Sequence, residues 1–318
     1  MLQVNNIRAH KDAYITALKK RNFDATSLFE DALKYDDMRK ASQTDLDAVL
    51  AESNRLSKEI GMLFKSGEHQ KANAVKAQTA DLKENSKRLQ DELRDAEEKL
   101  QNILFEIPNI PNDLIPAGVD EADNEEVFNE GDVPVLAEGS QPHWELAKKY
   151  DIIDFELGNK ITGAGFPVYK GKGARLQRAL ISYFLDKNTA AGYNEVQVPH
   201  LVNEASGYGT GQLPDKEGQM YYVTEDDLYL IPTAEVPITN IYRDVILKEE
   251  DFPIKNVGYT PCFRREAGSY GKDVRGLNRL HQFDKVEIVQ IQHLEKSYET
   301  KNKRSVWTVT TKPYREAH

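Results

Sequence analysis

The sequence contains a single cysteine, Cys262, in 318 residues. An intrachain disulfide is therefore excluded, and such sparse cysteine usage fits a reducing compartment. No Cys/His cluster has zinc-ligand spacing, so no metal site is expected from the protein's own ligands. Long apolar runs are also lacking. No segment approaches the ~18 apolar residues that cross a bilayer, and the N-terminus, MLQVNNIRAHKDAYI, has none of the apolar core of a signal peptide. A cytoplasmic chain with no membrane partner is expected. Positive charge is not in excess either: 42 Lys and Arg stand against 52 Asp and Glu, a net charge of −10. Any nucleic acid must then be held by local patches or by shape, because overall attraction is absent.

The 39% hydrophobic content suffices for two domains with a sizeable core. Residues 1–35 read as short helices and loops. Beyond them Leu46, Val49, Ser53, Leu56, Ile60 and Leu63 step by three and four, as do Val75, Thr79, Leu82, Ser86, Leu89, Leu93, Ala96, Leu100 and Ile103. The run Lys65-Ser66-Gly67-Glu68-His69 between them has the composition of a helix C-cap and turn, so the chain is expected to fold back as an antiparallel helical hairpin. Pro108 and Pro111 end the second arm. The arms are not basic: residues 36–106 hold 12 Lys and Arg against 15 Asp and Glu. A generic structural or interaction role is the simplest reading of such a hairpin.

Residues 111–142 form an acidic linker, with eight acidic and no basic residues in 117–138. After it, His143–Asp154 reads as helical and is followed by an extended stretch. The glycines of Gly163–Gly171 precede a helix at Ala174–Asp186. No G-K-[ST] follows them, so a strand-to-helix turn suits them better than a phosphate loop. Gly192–Pro199, Gln219–Val223 and Leu228–Ile231 read as strands. Strand signals alternate with helices, which implies an α+β domain with a mixed, mostly antiparallel sheet and flanking helices.

The densest chemistry lies in residues 263–287, FRREAGSYGKDVRGLNRLHQFDKVE, read as two strands joined by a polar loop. Alternation places Arg264 and Glu266 on one face of the first strand, and Arg279, His281, Phe283, Lys285 and Glu287 on one face of the second. Leu280, Val286 and Ile288 take the other face. Guanidinium for phosphate, ring for base stacking and carboxylate for an amine or hydroxyl would suit a nucleotide. A solvated face laced with salt bridges is equally consistent with the composition.

The wording F-R-x-E, a loop, then H-Q-F-x-K-V-E resembles motif 2 of class II aminoacyl-tRNA synthetases, in the version of bacterial seryl-tRNA synthetases. The helix, strand and closing Pro199 are similar to motif 1, the dimer interface of that class. The resemblance runs over residues 1–299. It implies two-step chemistry: ATP-dependent activation of L-serine to seryl-adenylate, then transfer to tRNA(Ser), with ATP and Mg2+ as cofactors and a homodimer as the assembly. By resemblance, residues 1–110 with the long arm bind tRNA, and exposed Arg55, Lys58, Lys76, Lys83 and Lys87 are candidate phosphate contacts. Residues 143–299 are the catalytic part. Arg264 is expected to bridge the serine carboxylate and the α-phosphate. Arg265, Glu266, Arg279, Leu280 and Phe283 complete the ATP set, although Arg265, lying between its neighbours, is expected to point away. Lys272 and Arg275 are expected near the phosphates or the tRNA end. Thr233, Ala234 and Glu235 are expected at the serine amino group, and Glu287 at its hydroxyl. Cys262 is expected to be a packed residue.

The pattern stops at Lys296-Ser297-Tyr298-Glu299. The basic run TKNKRSVWTVTTKPYREAH matches nothing expected there, and motif 3 is absent. A frameshift, a truncation or an out-of-frame tail is the expectation, and with it a catalytic part that is C-terminally incomplete and of little activity. The alternatives are a short-ended variant of the family or a non-catalytic module, derived from a synthetase, that binds tRNA or another partner.

Overall fold

The computed structural model describes residues 2–266, 275–297 and 299–300. The chain divides into two compact units between Val133 and Pro134, inside the stretch read as a linker.

In the first unit, α1 (Val4–Lys19) precedes α2 (Thr26–Lys65) and α3 (His69–Glu106). Residues 26–35, expected among short helices and loops, are instead the first turns of α2. Asp24 accepts hydrogen bonds from the backbone and hydroxyl of Thr26 and ties down the entry to the helix. The apolar residues there escape the seam's spacing because they serve a different core. Phe29 packs with Ile7, Leu18, Ala25 and Ile107 in a globular cluster at the base of the hairpin. Beyond that base α2 and α3 lie against each other. Leu46, Leu56, Leu89, Ala96 and Leu100 are buried, and every other predicted seam position is half-buried. At ~1.5 Å per residue, the 38 residues of α3 extend about 57 Å.

The turn between the arms satisfies the end of α2 through two bonds. Glu68 N–H donates to Leu63 O at 2.9 Å and Gly67 N–H to Phe64 O at 3.3 Å. This is the Schellman arrangement, which needs a left-handed residue just past the cap, and Gly67 supplies it with φ +79°. The start of the acidic stretch does not hang free: Asn22 Nδ2 donates to Gly118 O at 2.8 Å, and Gly118 N–H donates to Lys20 O at 3.2 Å.

In the second unit, α4 (His143–Lys149), β1 (Ile153–Asp154), α5 (Phe155–Ile161), β2 (Val168–Tyr169) and α6 (Lys172–Ala190) lead into the sheets. The helix expected over 143–154 is therefore broken. Asp151 takes a left-handed φ of +48°, and Asp154 accepts the Leu157 N–H at 2.8 Å to start α5 where extended chain was expected. Gly171 joins β2 to α6, so the glycine-rich stretch does end in a strand-to-helix turn. Then follow β3 (Asn194–Glu195), β4 (Leu201–Val202), α7 (Glu204–Gly209), β5 (Tyr222–Val223), β6 (Leu228–Leu230), α8 (Glu235–Asn240), β7 (Ile254–Phe263) and β8 (Gln282–Ile291). In one three-stranded sheet, ordered β3-β7-β8, β3 runs parallel to β7 and β7 antiparallel to β8. A second, ordered β4-β6-β5, is antiparallel, as is the small β1-β2 pair.

Helix α6 packs on one face of β7 and β8, where Gln177 reaches Asp284, which also accepts the Tyr259 hydroxyl at 2.6 Å. Helix α8 packs on the other face, through Ala234, Ile238 and Val289. A Cβ on Gly258 would meet Ile238 Cδ1 at 2.8 Å and the Val196 carbonyl at 2.9 Å, so only glycine lets α8 and the chain just past β3 come this close.

In the helical unit, α1 is tied to α2 by the exposed carboxylates of Asp37, on Arg8, and Glu30, on Lys11, and by one buried carboxylate. Asp36 is 3% exposed and accepts from Arg8 at 3.0 Å, Arg39 at 3.0 Å and Lys40 at 2.7 Å. Burial opposes its ionisation, but the hydrogen bonds from Lys40, Arg39 and Arg8 outweigh it and lower the carboxyl to about 2. A carboxyl depressed on folding stabilises above its unfolded value near 4, and that stabilisation fades as pH falls toward 2. Asp36→Asn should therefore cost roughly 2 kcal/mol at neutral pH and far less at pH ~2. Urea unfolding of both chains followed by circular dichroism at the two pH values checks this. An equal difference at both would show that the ion cluster is not the cause.

Candidate active site

The antiparallel register of β7 and β8 opposes Gly258 to Glu287, Thr260 to Lys285 and Cys262 to Phe283. Paired residues share a face, so Phe283, Lys285 and Glu287 stand together above the buried Thr260 and Cys262. The bend Ile231–Ala234, between β6 and α8, closes over this face. Phe263 N–H donates to Ile231 O at 2.9 Å and fixes the bend to the end of β7. Thr233 and Ala234 are consequently buried, 3% and 0% exposed.

Thr233 is the centre of a small polar network. Its hydroxyl donates to Glu287 Oε2 at 2.9 Å and accepts from Lys285 Nζ at 3.1 Å and from the Glu235 N–H at 3.2 Å. Lys285 Nζ also lies 2.5 Å from Glu287 Oε2. Glu235 heads α8 with its side chain toward solvent. Arg264 follows the last residue of β7. Its N–H donates to His281 O at 2.9 Å, its Nε donates to Pro232 O at 3.2 Å, and its guanidinium carbon sits 5.1 Å from the centre of the Phe283 ring. A fixed guanidinium therefore stands beside a ring, a hydroxyl, an ammonium and a carboxylate. Such a set can hold an anionic group at one end and a polar hydroxyl or amine at the other.

The remaining expected residues divide. Arg265 turns away: its N–H donates to Gln219 O at 2.8 Å, its Nε donates to Met220 O at 3.0 Å, and its guanidinium lies 4.9 Å over the Tyr221 ring. Its contacts tie β7 to the approach to β5 and leave it no part in the Arg264 face. Glu266 was expected on the same strand face as Arg264, but β7 stops at Phe263 and Glu266 has φ +49°. Alternation holds only while the strand continues. Likewise Arg279 and His281 precede β8, which starts at Gln282. Glu266 and Arg279 meet each other instead, 3.7 Å apart. His281 accepts or donates at Nδ1 with the Tyr221 hydroxyl at 2.6 Å and stacks on Phe166. Leu280 is buried, 7% exposed, whereas Val286 and Ile288 are only half-buried. Arg275 is exposed, and Lys272 lies outside the described residues. Lys285 carried no assigned role from sequence, although alternation had already placed it between Phe283 and Glu287. The carbonyl of Pro232, which orients Arg264, has no side-chain signature at all.

The helical hairpin unit, the α6–β3 helix and strand, and the arginine-bearing β7–β8 pair are the parts that the resemblance to a class II aminoacyl-tRNA synthetase implies. Family models agree: the seryl-tRNA synthetase N-terminal domain matches residues 1–111, and the tRNA synthetase class II core domain (G, H, P, S and T) matches residues 221–317. The second match reaches past Thr300 into residues that lie outside the described structure.

The serine–tRNA ligase of Salinibacter ruber is 45% identical over 298 residues, 94% of this chain and 70% of the relative. That of Thermodesulfovibrio yellowstonii is 42% identical over 321 residues, 99% of this chain and 75% of the relative. The crystal structure of seryl-tRNA synthetase from Pyrococcus horikoshii complexed with ATP superposes with a TM-score of 0.82 at 28% identity, covering 98% of this chain and 74% of that one. The chain belongs to the serine–tRNA ligase family. Among the described residues, no helix is long and apolar enough to cross a membrane.

Cys262 provides a clean reporter of this face. It is fully buried, and burial pushes its thiol above the usual range. Thiol reactivity follows the exposed thiolate, so the folded chain should react with an aromatic disulfide reagent at least ~100-fold more slowly than the chain in guanidinium. Prompt labelling of the native protein would mean that the 258–262 face is not closed as described.

Proposed function

We propose that this chain binds ATP and L-serine on the Arg264–Phe283–Glu287 face and favours formation of seryl-adenylate there. In that reaction a serine carboxylate oxygen attacks the α-phosphorus. The bond to the bridging oxygen of the β-phosphate breaks, and pyrophosphate leaves. A terminal ribose hydroxyl of tRNA then attacks the seryl carbonyl and AMP departs. The protein needs no covalent role: alignment of the two reactants and neutralisation of phosphate charge are what such a step requires.

The observation that carries this reading is the convergence of Arg264, Phe283, Thr233, Lys285 and Glu287 on one strand face. Arg264 has the fork and the permanent charge to sit between a carboxylate and the α-phosphate. Its contact with Phe283 ties that position to the ring offered to adenine. Glu266 and Arg279, paired beside it, would face the base and the phosphates, with the backbone at Leu280 against the nucleotide. Thr233, with Ala234 and Glu235 at the head of α8, would receive the serine amino group. Glu287 would accept the serine hydroxyl at Oε1, since Thr233 and Lys285 both use Oε2. Arg265, anchored elsewhere, is assigned to support of the fold.

Magnesium, implied together with ATP, does not fit a resident site in the described residues: no group of three His, Cys, Asp or Glu lies close enough to hold a metal. It would arrive on the phosphates. The α2–α3 hairpin would take the tRNA, with Arg55, Lys58, Lys76, Lys83 and Lys87 exposed along it. Arg55 is already paired within its helix, with Glu52 at 2.7 Å and Glu59 at 3.2 Å. The homodimer reading is supported by α6, where Leu176, Leu180 and Tyr183 form an exposed apolar stripe.

Two experiments test this. Glu287→Ala should cut the preference for a non-hydrolysable seryl-adenylate analogue over its alanyl counterpart by ~100-fold or more, because a half-buried acceptor that a bound ligand would seal from water rejects the ligand lacking the hydroxyl. Calorimetric affinities for both analogues give the ratio, and an unchanged ratio would remove Glu287 from serine selection. Deleting residues 46–100 should abolish binding of tRNA(Ser) in a filter assay and leave analogue affinity within about threefold. Loss of both together would mean that the arm is not a separate tRNA module.

A further inference from the structure

The end of the polar segment that leads into β8 is held by a residue far away in sequence. Leu277 N–H donates to His143 Nε2 at 2.9 Å, across 134 positions of chain. The bond requires an imidazole whose Nε2 lone pair is free, so the ring proton is on Nδ1. The adjoining residue, Gly276, takes φ +70°, and a Cβ there would run into the His143 ring. The imidazole thus rests against the backbone where a side chain would otherwise project. Trp144 meets the same ring edge-on, 5.0 Å between centres. Two residues further along, Arg279 faces Glu266, and Leu280 is buried at the entry to β8.

We infer that His143 is a positioning residue that clasps Gly276–Leu277 and so sets the placement of Arg279 and Leu280 on a bound nucleotide. The inference rests on the nucleotide reading above, and it uses only residues 275–280 together with α4. Among the described residues, this turn is tied before Leu280 by the His143 acceptor at Leu277 and by the longer Arg279–Glu266 contact at 3.7 Å. Removing that acceptor frees the backbone N–H and lets Arg279 swing, while the β7–β8 ladder stays intact. Arg264 is fixed separately, through Pro232 and His281, and should not move.

The test compares the full chain with His143→Ala, His143→Gln and Gly276→Ala. Without nucleotide, hydrogen–deuterium exchange of a peptide covering 275–281 should speed up by about tenfold in His143→Ala and Gly276→Ala, the loss expected for one hydrogen bond. Glutamine can present a carbonyl oxygen near the Nε2 position, and His143→Gln should restore most of the protection. Exchange in β7 and β8 should be unchanged in all three. With ATP, His143→Ala and Gly276→Ala should weaken affinity by about three- to tenfold, and His143→Gln should recover it. Arg264→Ala serves as the control for the nucleotide reading itself. If Arg264→Ala weakens ATP binding and His143→Ala does not, the clasp has no role in the site and the inference falls. If Arg264→Ala also has no effect, the nucleotide reading falls, and the link from His143 to a nucleotide falls with it. Unchanged exchange in His143→Ala would overturn the clasp directly.

Discussion

Ten residues of β7 pair with ten of β8, from Ile254 opposite Ile291 to Phe263 opposite Gln282. A slip of one residue would turn Phe283, Lys285 and Glu287 onto the α6 side and bring Asp284 to the α8 side. The register is held from outside the pair as well. Gly258 admits Ile238 and the Val196 carbonyl just past β3 at one point only, and Tyr259 and Gln177 fix Asp284 on the opposite face. Thr233 depends on this register most directly. Its single hydroxyl meets both Lys285 and Glu287, which it can do only when those two side chains emerge on its side.

The polar network illustrates how a half-buried carboxylate is kept usable. Glu287 is 19% exposed and Lys285 35%, so neither charge is sealed in a dry interior where separation would be prohibitive. The lysine and threonine gather on one oxygen and thereby orient the other. The arginine end follows a different logic: a main-chain carbonyl and an aromatic ring constrain the guanidinium without neutralising it. One end of the face is thus charge-balanced, and at the other no carboxylate among the described residues is paired with Arg264, the polarity that would suit the zwitterion and polyanion proposed above.

The parts legible in the sequence were those governed by a local period. The arm was readable because Leu46, Leu56, Leu89, Ala96 and Leu100 keep the seam spacing through two helices joined by one glycine. The Phe283–Lys285–Glu287 face was readable because alternation persists through β8. What the sequence hid were places where the period ends or where distant segments meet. Residues 26–35 looked irregular because Phe29 serves the globular base and not the seam. Phe155–Ile161 looked extended because a single carboxylate, Asp154, starts that helix. Glu266 left the strand face at a left-handed φ that no pattern announces. The grip of Pro232 on Arg264 involves a backbone oxygen, and that of His143 on Leu277 joins residues with no sequence relation.

The ion cluster at the base of the arm has an asymmetric tolerance to change. Three cations converge on Asp36, two of them from the next turn of the same helix and one from α1. Loss of any one leaves the carboxylate still doubly partnered, whereas loss of the carboxylate leaves three like charges around a buried gap, of which, among the described residues, only Arg8 keeps a carboxylate partner, Asp37. Sequence drift at Arg8, Arg39 or Lys40 is therefore buffered by the other two, and drift at Asp36 is not. The junction is robust from its basic side and brittle from its acidic one, so neutral variation here should collect on the cations.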